Sequence, residues 1–221
     1  MNGLRSVEES YGTEFIRKGI HLFSLLIPVV YYFIARQTAL AILVPLTLAF
    51  GLSDIARLFI PSVGRLYAKL FGFLLRSHER NDTGRHLNGA TYVLLAASIL
   101  VYFYPKVIVI TAFAIMIISD SSAALIGRKF GKHRFLRKSL EGAAAFFVSA
   151  LVVVALAPKV EYLAAEYVIG AVGAGVGAVV ESSAMGLDDN LSIPITVGGV
   201  MWVMYTWLLP ALNIFKLDGL T

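Results

Sequence analysis

Long apolar runs recur along the chain and are separated by short polar segments. Each of seven runs is long enough to predict a helix that crosses a hydrocarbon layer of about 30 Å. The pattern therefore predicts an all-α, polytopic integral membrane protein with about seven transmembrane helices, forming one domain over residues 1–221. The predicted spans are residues 19–35, 38–56, 87–104, 107–127, 141–157, 162–181 and 191–212.

A different pattern lies between the second and third spans, in residues 61–76. Arg65, Lys69 and Arg76 share one helical face with Gly72, and most of the other positions are apolar. This arrangement predicts an amphipathic helix that lies in the membrane interface.

Composition agrees with a membrane protein and excludes several kinds of chemistry. The chain is 58% hydrophobic and 15% charged, whereas soluble domains are about 45–50% apolar and 25% charged. It has no cysteine, which excludes disulfides, thiol catalysis and zinc–thiolate sites. The net charge of +5 could suggest a nucleic-acid partner. In a membrane protein it is more typical of cytoplasmic loops, so we expect no nucleic acid.

The positive residues are concentrated on one predicted side of the membrane. Alternate sides carry 15 and 4 of the 19 Lys and Arg residues. The loops with the most Lys and Arg residues are 57–86 and 128–140. The positive-inside rule places these loops and the N-terminus in the cytoplasm, and an odd number of spans places the C-terminus outside. The polar segment 1–14 has no signal-peptide pattern. We expect a cell-membrane protein whose chemistry occurs at the cytoplasmic face.

An aspartate ends the apolar part of the fourth span, in SDSSAALIGRKFGK. If helical, Asp120, Ala124, Gly127 and Gly131 share one face, and such small residues allow another backbone or a ligand to approach closely. A carboxylate in a membrane costs about 2.5–3.5 kcal/mol, so it usually has a task or a partner. The alternative is an ion pair with a nearby arginine.

A basic cluster follows this aspartate. Such side chains can hold phosphate oxygens, although for Lys129 and Arg134 topology and contact with anionic headgroups are the preferred explanation. The glycine spacing of GRKFGKH is not that of a Walker A loop. Ser139 is a predicted N-cap of the fifth span, with Glu141 in its first turn. The cations are Arg128, Lys129, Lys132, Arg134, Arg137 and Lys138.

Acidic residues gather on the same predicted face. Glu181 ends the sixth span, whose GAVGAGVG segment predicts close helix packing. Asp188, Asp189 and Asn190 follow in GLDDN. Carboxylates and an amide opposite a basic loop suit Mg²⁺ bridged to phosphates, and a turn with a helix cap is the alternative for GLDDN.

Two smaller groups complete the polar face. Arg17 and His21 are four residues apart at the entrance of the first span, with Lys18 beside them. Asp54 precedes Arg57 by three residues and predicts a helical ion pair. Acids and cations gathered on one membrane face are what phosphoryl transfer requires.

These segments resemble the CTP-dependent lipid-alcohol kinases, a group that contains dolichol, phytol and farnesol kinases and CTP-dependent diacylglycerol kinase. The resemblance rests on SDSSAALIGRKFGK, RKSLEG and DDNLSIP, with RKGIH and LNGATY, and covers about residues 15 to 212. It implies transfer of the terminal phosphate of CTP to the hydroxyl of an isoprenoid alcohol or diacylglycerol at the cytoplasmic face. The short length is typical of a prokaryotic member.

The resemblance also implies roles for the matching residues. The catalytic residues would be Asp120, Glu181, Lys138 and His21, and either Asp120 or Glu181 could accept the hydroxyl proton. Mg²⁺ would be held by Asp120, Glu181, Asp189 and Asn190. CTP would contact Gly127, Arg128, Gly131, Lys132, Lys138, Ser139, Glu141 and Gly142, with Arg17 and Lys18 lining the same face.

Two other functions remain open. Phosphatidate cytidylyltransferases share the core and would transfer CMP to a lipid phosphate, but the later HGG–Asp signature of that family is missing here. A transporter or scaffold would agree with Pro28, Pro45 and Pro194 inside spans, although transporters usually place polar groups near the midplane. The identity of the lipid and the oligomeric state, a homodimer included, are left open.

Overall fold

The computed structural model describes residues 19, 21–71, 87–183 and 187–219, and this part of the chain is largely helical. The helical class predicted from the apolar pattern is therefore confirmed. The helices are α1 (Leu26–Phe33), α2 (Arg36–Phe59), α3 (Pro61–Phe71), α4 (Gly89–Phe103), α5 (Lys106–Phe130), α6 (Leu140–Leu156), α7 (Ala164–Ser183) and α8 (Asp189–Leu208), followed by a short 3₁₀ helix, Lys216–Gly219.

Each predicted span coincides with one apolar helix, but the helices differ in length. Within the described residues, α2, α5, α7 and α8 are long and apolar enough to cross a membrane. The apolar helices His21–Phe33, Gly89–Phe103 and Leu140–Leu156 are shorter. Seven crossings therefore stay a prediction, whereas four candidate crossings are observed.

Two helix boundaries differ from the predicted spans for local reasons. The first apolar helix is interrupted after residues 21–23 and resumes at Leu26, because the N–H groups of Ser24 and Leu25 bond to carbonyls three residues back. At the other end, α8 stops at Leu208 rather than at 212. Pro210 follows, and the residue before a proline is disfavoured in helical conformation.

The centre of the bundle is α5. In its most apolar window 72% of the residues are buried, compared with 17% for α2. A helix that is apolar on all sides is typical of a buried position. α5 packs against α6 and α8, and α7 packs between those two helices.

The glycines of α7 allow this close packing, as the sequence predicted. A Cβ atom at Gly170 would lie 2.5 Å from Val154 Cγ1 of α6, and one at Gly173 would lie 3.1 Å from Met201 Cγ of α8. A Cβ at Gly177 would lie 3.0 Å from the ring of Phe146. The small face therefore lies directly against both neighbouring helices.

A two-stranded hairpin interrupts the all-helical pattern between α5 and α6, and the sequence did not predict it. Strands β1 (Arg134–Phe135) and β2 (Lys138–Ser139) pair antiparallel. Leu136 in the turn has a left-handed φ of 51°, a conformation that usually favours glycine. The sequence therefore lacks the Asn-Gly or Asp-Gly signal that identifies most tight hairpins.

The end of the bundle away from the hairpin also contains buried polar groups. Glu166 is fully buried and accepts hydrogen bonds from the backbone N–H groups of Val160, Glu161 and Leu163. The hydroxyl of Tyr205 donates to the same carboxylate at 3.2 Å. Glu166 thus fixes the loop that joins α6 to α7.

Candidate active site

The predicted acidic and basic residues meet where several helices end. The C-terminal ends of α5 and α7 and the N-terminal ends of α6 and α8 lie at the same end of the bundle, because these consecutive helices pack antiparallel. The hairpin covers this end. The N–H of Arg137 donates to the Ser182 carbonyl at 3.0 Å, and the N–H of Leu140 donates to the His133 carbonyl at 2.9 Å.

Lys138 is the central cation of the site. Its ammonium donates to Glu181 Oε1 at 2.7 Å and to Asp189 Oδ2 at 3.0 Å. Burial by itself would lower the pKa of Lys138, but the carboxylates of Asp189 and Glu181 outweigh it and raise the pKa above its usual value. Lys138 is therefore a permanent positive charge at neutral pH. It joins the hairpin to α7 and α8.

Asp120 lies beside this ion-paired group and also faces His21, which precedes α1. Its Oδ2 atom is 3.8 Å from His21 Nε2, and the exposed fractions of the two side chains are 17% and 13%. The charges of Asp120 and Glu181 both act on Asp189. Carboxylates from α5, α7 and α8 thus form one cluster, with Lys138 on one side and His21 on the other.

The predicted glycine face of α5 is occupied by the protein itself. A Cβ at Gly127 would lie 3.0 Å from Ser139 Oγ and 3.4 Å from Gly142 Cα. A Cβ at Gly131 would lie 2.3 Å from the Gly127 carbonyl oxygen and 2.9 Å from Ser139. The close approach that the sequence indicated is therefore between α5, the hairpin and the first turn of α6.

The two residues predicted at the start of α6 have structural partners. Ser139 caps α6, and its Oγ accepts the N–H of Gly142 at 3.2 Å, so this part of the prediction is confirmed. Glu141 accepts the backbone N–H of His133 at 3.2 Å and contacts His133 Nδ1 at 2.7 Å. Glu141 thus fixes the residue that leads into the hairpin.

A rim of cations surrounds the hairpin. Arg128, Lys129, Lys132, Arg134 and Arg137 are exposed, and Lys129 lies 5.2 Å from the ring of Phe130. Anions approaching this end of the bundle would meet positive charge before they reach Lys138. Arg17 and Lys18, which the resemblance places on this face, lie outside the described residues.

The start of α8 contains both a helix cap and a site residue. Asp188 is the N-cap, and its side chain accepts the N–H of Asn190 at 3.0 Å, which confirms the capping alternative for GLDDN. The neighbouring Asp189 instead contacts Lys138. Asn190 is buried, and its Nδ2 atom lies 3.5 Å from the position of a Cβ on Gly89.

Mg²⁺ was predicted at Asp120, Glu181, Asp189 and Asn190. Among the residues that the structure describes, no group of three or more His, Cys, Asp or Glu side chains could hold a metal ion alone. Two carboxylates do converge on one cation, because Glu181 and Asp189 both bind the Lys138 ammonium. Mg²⁺ typically takes one or two carboxylates together with substrate phosphates and water, so this pair fits such an ion.

A buried network near the site was only half predicted from the sequence. The expected pair of Asp54 and Arg57 is present at 2.8 Å. Asp54 also accepts the N–H of Asn88 at 2.7 Å and the hydroxyl of Thr91 at 2.6 Å. The LNGATY segment, which contains Asn88 and Thr91, was the sequence feature that could have indicated these two further partners of Asp54. The network positions the start of α4, whose Gly89 faces Asn190.

Comparison with known proteins gives relatives along most of the chain. An uncharacterized protein of Rickettsia prowazekii is 30% identical over 190 residues, which cover 85% of this chain and 93% of the relative. CTP-dependent diacylglycerol kinase 1 of Schizosaccharomyces pombe is 27% identical over 168 residues, 68% of this chain and 74% of the relative. Phytol kinase of Synechocystis is 30% identical over 140 residues, 58% of this chain and 59% of the relative.

No protein-family model matches the chain, and no solved structure matches it. The two relatives with named activities are both kinases of lipid alcohols. Residues 120 to 142, which contribute to the cluster of cations and carboxylates, contain the motif on which the resemblance rests. The chain belongs to the CTP-dependent lipid kinase family.

Proposed function

We propose that this protein transfers the terminal phosphate of CTP to the hydroxyl of a membrane lipid alcohol, with the reaction at the cytoplasmic face. The observation that carries the proposal is the double ion pair of Lys138 with Glu181 and Asp189. The double ion pair joins a lysine, which can bind phosphate oxygens, to two carboxylates, which can bind a metal ion. The diacylglycerol kinase relative supports CTP as the donor, and both named relatives support a lipid alcohol as the acceptor.

The site divides into a donor side and an acceptor side. Lys138, Glu181 and Asp189 lie beneath the basic rim and form the donor side, where the phosphates of CTP would bind. Mg²⁺, if held there by Glu181 and Asp189, would neutralise the negative charge of the phosphates. Glu181 and Asp189 are the proposed protein ligands, with Asp120 and Asn190 beside them.

Asp120 and His21 form the acceptor side. Glu181 is engaged by Lys138 and by the hydroxyl of Ser182, whereas Asp120 faces His21. We therefore assign Asp120 as the acceptor of the hydroxyl proton and His21 as the group that orients it. The alcohol oxygen forms a bond to the terminal phosphorus, the bond from that phosphorus to the bridging oxygen breaks, and CDP leaves.

The other site residues would act by shape and charge. Arg128 and Lys132 would attract and hold phosphate oxygens. Gly127, Gly131, Ser139, Glu141 and Gly142 would keep the hairpin in the position that presents Lys138. The seven apolar helices would all cross the membrane, with α3 in the interface and the N-terminus inside.

The test uses purified protein in detergent with Mg²⁺ and CTP labelled at either the terminal or the innermost phosphate. Prenols, diacylglycerol and phosphatidate are offered separately. Terminal label in an alcohol is the expected result. Innermost label in phosphatidate would instead indicate a cytidylyltransferase, and ATP replacing CTP without loss would contradict the assigned donor.

A further inference from the structure

An apolar groove runs along the outside of the bundle and ends near the acceptor side of the site. It lies between α1, α5 and α6 and has a volume of about 620 Å³. Residues that line it include Pro28 and Tyr32 of α1, Ala114 and Ile118 of α5, and Val152 of α6. Ligand pockets usually measure about 300–1,000 Å³, so its size is that of a small-molecule site.

One end of the groove lies at the same level along the bundle as Asp120 and His21. Ile118, which lines it, is two residues before Asp120, or about 3 Å along the helix axis. Leu25, also in the lining, is four residues after His21. From Ile118 to Ile110 the groove follows α5 for about 12 Å, at 1.5 Å per residue. It leads from the acceptor side toward the opposite end of the bundle.

The lining offers little to a polar ligand. Ser149 is part of it, but its hydroxyl donates to the carbonyls of Ala145 and Phe146 in its own helix, at 2.7 and 3.0 Å. The other lining residues named above are apolar or aromatic. The groove therefore favours a hydrocarbon chain over any charged or strongly hydrogen-bonding ligand.

The groove is open on the side that would face membrane lipid. Val152 is 55% exposed and Leu156, farther along α6, is 81% exposed. These side chains lie in apolar helices, so their exposed surface would be in contact with hydrocarbon rather than with water. A lipid could therefore enter sideways from the bilayer without leaving an apolar environment.

We infer that this groove binds one hydrocarbon chain of the acceptor alcohol and delivers its hydroxyl to Asp120 and His21. The inference rests on the proposed function and adds the route and position of the substrate chain. The occupant of the groove is a lipid chain rather than a protein partner. Specific protein interfaces usually bury more than about 1,000 Å², whereas the volume of this groove, about 620 Å³, is that of a site for one small ligand.

The test compares two valines of α6. Val152 lines the groove, whereas Val148 does not appear in its lining, although it is 61% exposed and only one turn away. Val152→Trp should lower kcat/KM for geranylgeraniol about tenfold or more, since even a methylene-sized misfit in an apolar pocket costs about 10–200-fold. Val148→Trp should leave it within about twofold of wild type, as most exposed substitutions do.

A short alcohol separates chain binding from catalysis. Prenol, with a single isoprene unit, should lose little in the Val152→Trp variant, because it reaches the hydroxyl position without filling the groove. Equal losses for prenol and geranylgeraniol, or equal effects of the two tryptophans, would overturn the inference while leaving the kinase activity intact.

A second measurement does not depend on turnover. A geranylgeraniol analogue with a diazirine at its tail end, added to wild-type protein in nanodiscs, should crosslink to α1, α5 or α6. Val152→Trp should reduce this labelling and Val148→Trp should not. If no alcohol is phosphorylated, the proposed function is wrong. Crosslinks confined to other helices would instead contradict the binding of the substrate chain in this groove, whatever the result of the activity assay.

Discussion

Lys138 and Glu181 are 43 residues apart in the sequence, yet the lysine ammonium lies 2.7 Å from the carboxylate oxygen. The pair joins a two-stranded hairpin to the end of α7. Because the side chain of Glu181 is only 4% exposed, its negative charge depends on this partner for compensation. The same contact brings Lys138, which is partly buried, to the candidate metal ligands.

Replacing Lys138 should remove activity. We expect Lys138→Ala to lower kcat/KM at least about 100-fold, the usual cost of losing one electrostatic group that stabilises a transition state. It should also lower stability by up to about 3 kcal/mol, because Glu181 is left buried without this partner. The labelled-CTP assay and thermal unfolding in detergent measure both effects.

The control is Lys129→Ala, since Lys129 is exposed and lies over Phe130. This substitution should have little effect on kcat/KM or on thermal unfolding. The double variant Lys138→Met with Glu181→Gln removes both charges and should recover stability without recovering activity. A double variant with wild-type turnover would show that the pair has only a structural role.

Replacing Asp120 should stop the reaction without disturbing nucleotide binding. Asp120→Asn keeps the shape of the side chain but removes the base that we assign to the acceptor hydroxyl. We expect kcat to fall at least about 100-fold, with the affinity for CTP nearly unchanged. Equilibrium binding of CTP and single-turnover assays check this. Loss of CTP binding with an unchanged rate at saturation would instead place Asp120 on the donor side.

Neighbouring aspartates provide a matched pair at the start of α8. Asp189 binds Lys138, whereas Asp188 caps the helix. Asp188→Asn should retain activity, because asparagine is an equally good N-cap. Asp189→Asn should raise the Mg²⁺ concentration needed for half-maximal rate. Titration of activity with Mg²⁺ measures the difference, and identical curves for the two variants would argue against Asp189 as a metal ligand.

A methyl group at Gly131 should displace the hairpin. A Cβ there would lie 2.9 Å from Ser139 of the hairpin and 2.3 Å from the Gly127 carbonyl oxygen, whereas one at Gly175 would be 3.8 Å from its nearest neighbour, Phe147. Gly131→Ala should therefore cost about 1–3 kcal/mol, as overpacking usually does, and reduce activity through Lys138. Gly175→Ala should be tolerated. Unfolding and turnover of the two variants, measured side by side, test the packing.

Glu166 should affect stability but not catalysis. Its carboxylate accepts three backbone N–H groups and the Tyr205 hydroxyl at the end of the bundle opposite the hairpin. Glu166→Gln should lower the free energy of unfolding by about 2–3 kcal/mol, because hydrogen bonds to a charged group are each worth about 1.5–3 kcal/mol. At temperatures where the variant is folded, kcat should equal that of wild type.

The ion pair of Lys138 also predicts how stability depends on pH. Its pKa is raised above the ordinary value of 10.5, so folding is favoured while the ammonium is charged. This contribution is complete below 10.5 and is lost as the pH rises through the higher folded-state pKa. Wild-type protein should lose stability at strongly alkaline pH, and the loss should be smaller in Lys138→Met with Glu181→Gln.

The sequence by itself determined the features that depend on near neighbours. Apolar runs predicted the positions of the helices, because a chain in hydrocarbon must satisfy its backbone hydrogen bonds internally. Local contacts also followed from spacing. Ser139 caps α6, Asp188 caps α8, and Arg57 pairs with Asp54 one turn away. Each of these interactions spans three residues or fewer.

Only the tertiary structure decided which distant groups meet. The contact of Lys138 with Asp189, the hairpin that presents it, and the groove between α1, α5 and α6 depend on how each helix is rotated and displaced along its axis. Helices that are apolar on all sides give no polar face from which that rotation could be predicted, and packing of small residues sets it instead. In this protein the contacts of Gly127, Gly131 and Gly142 determine where the hairpin lies, and therefore where Lys138 meets its acids.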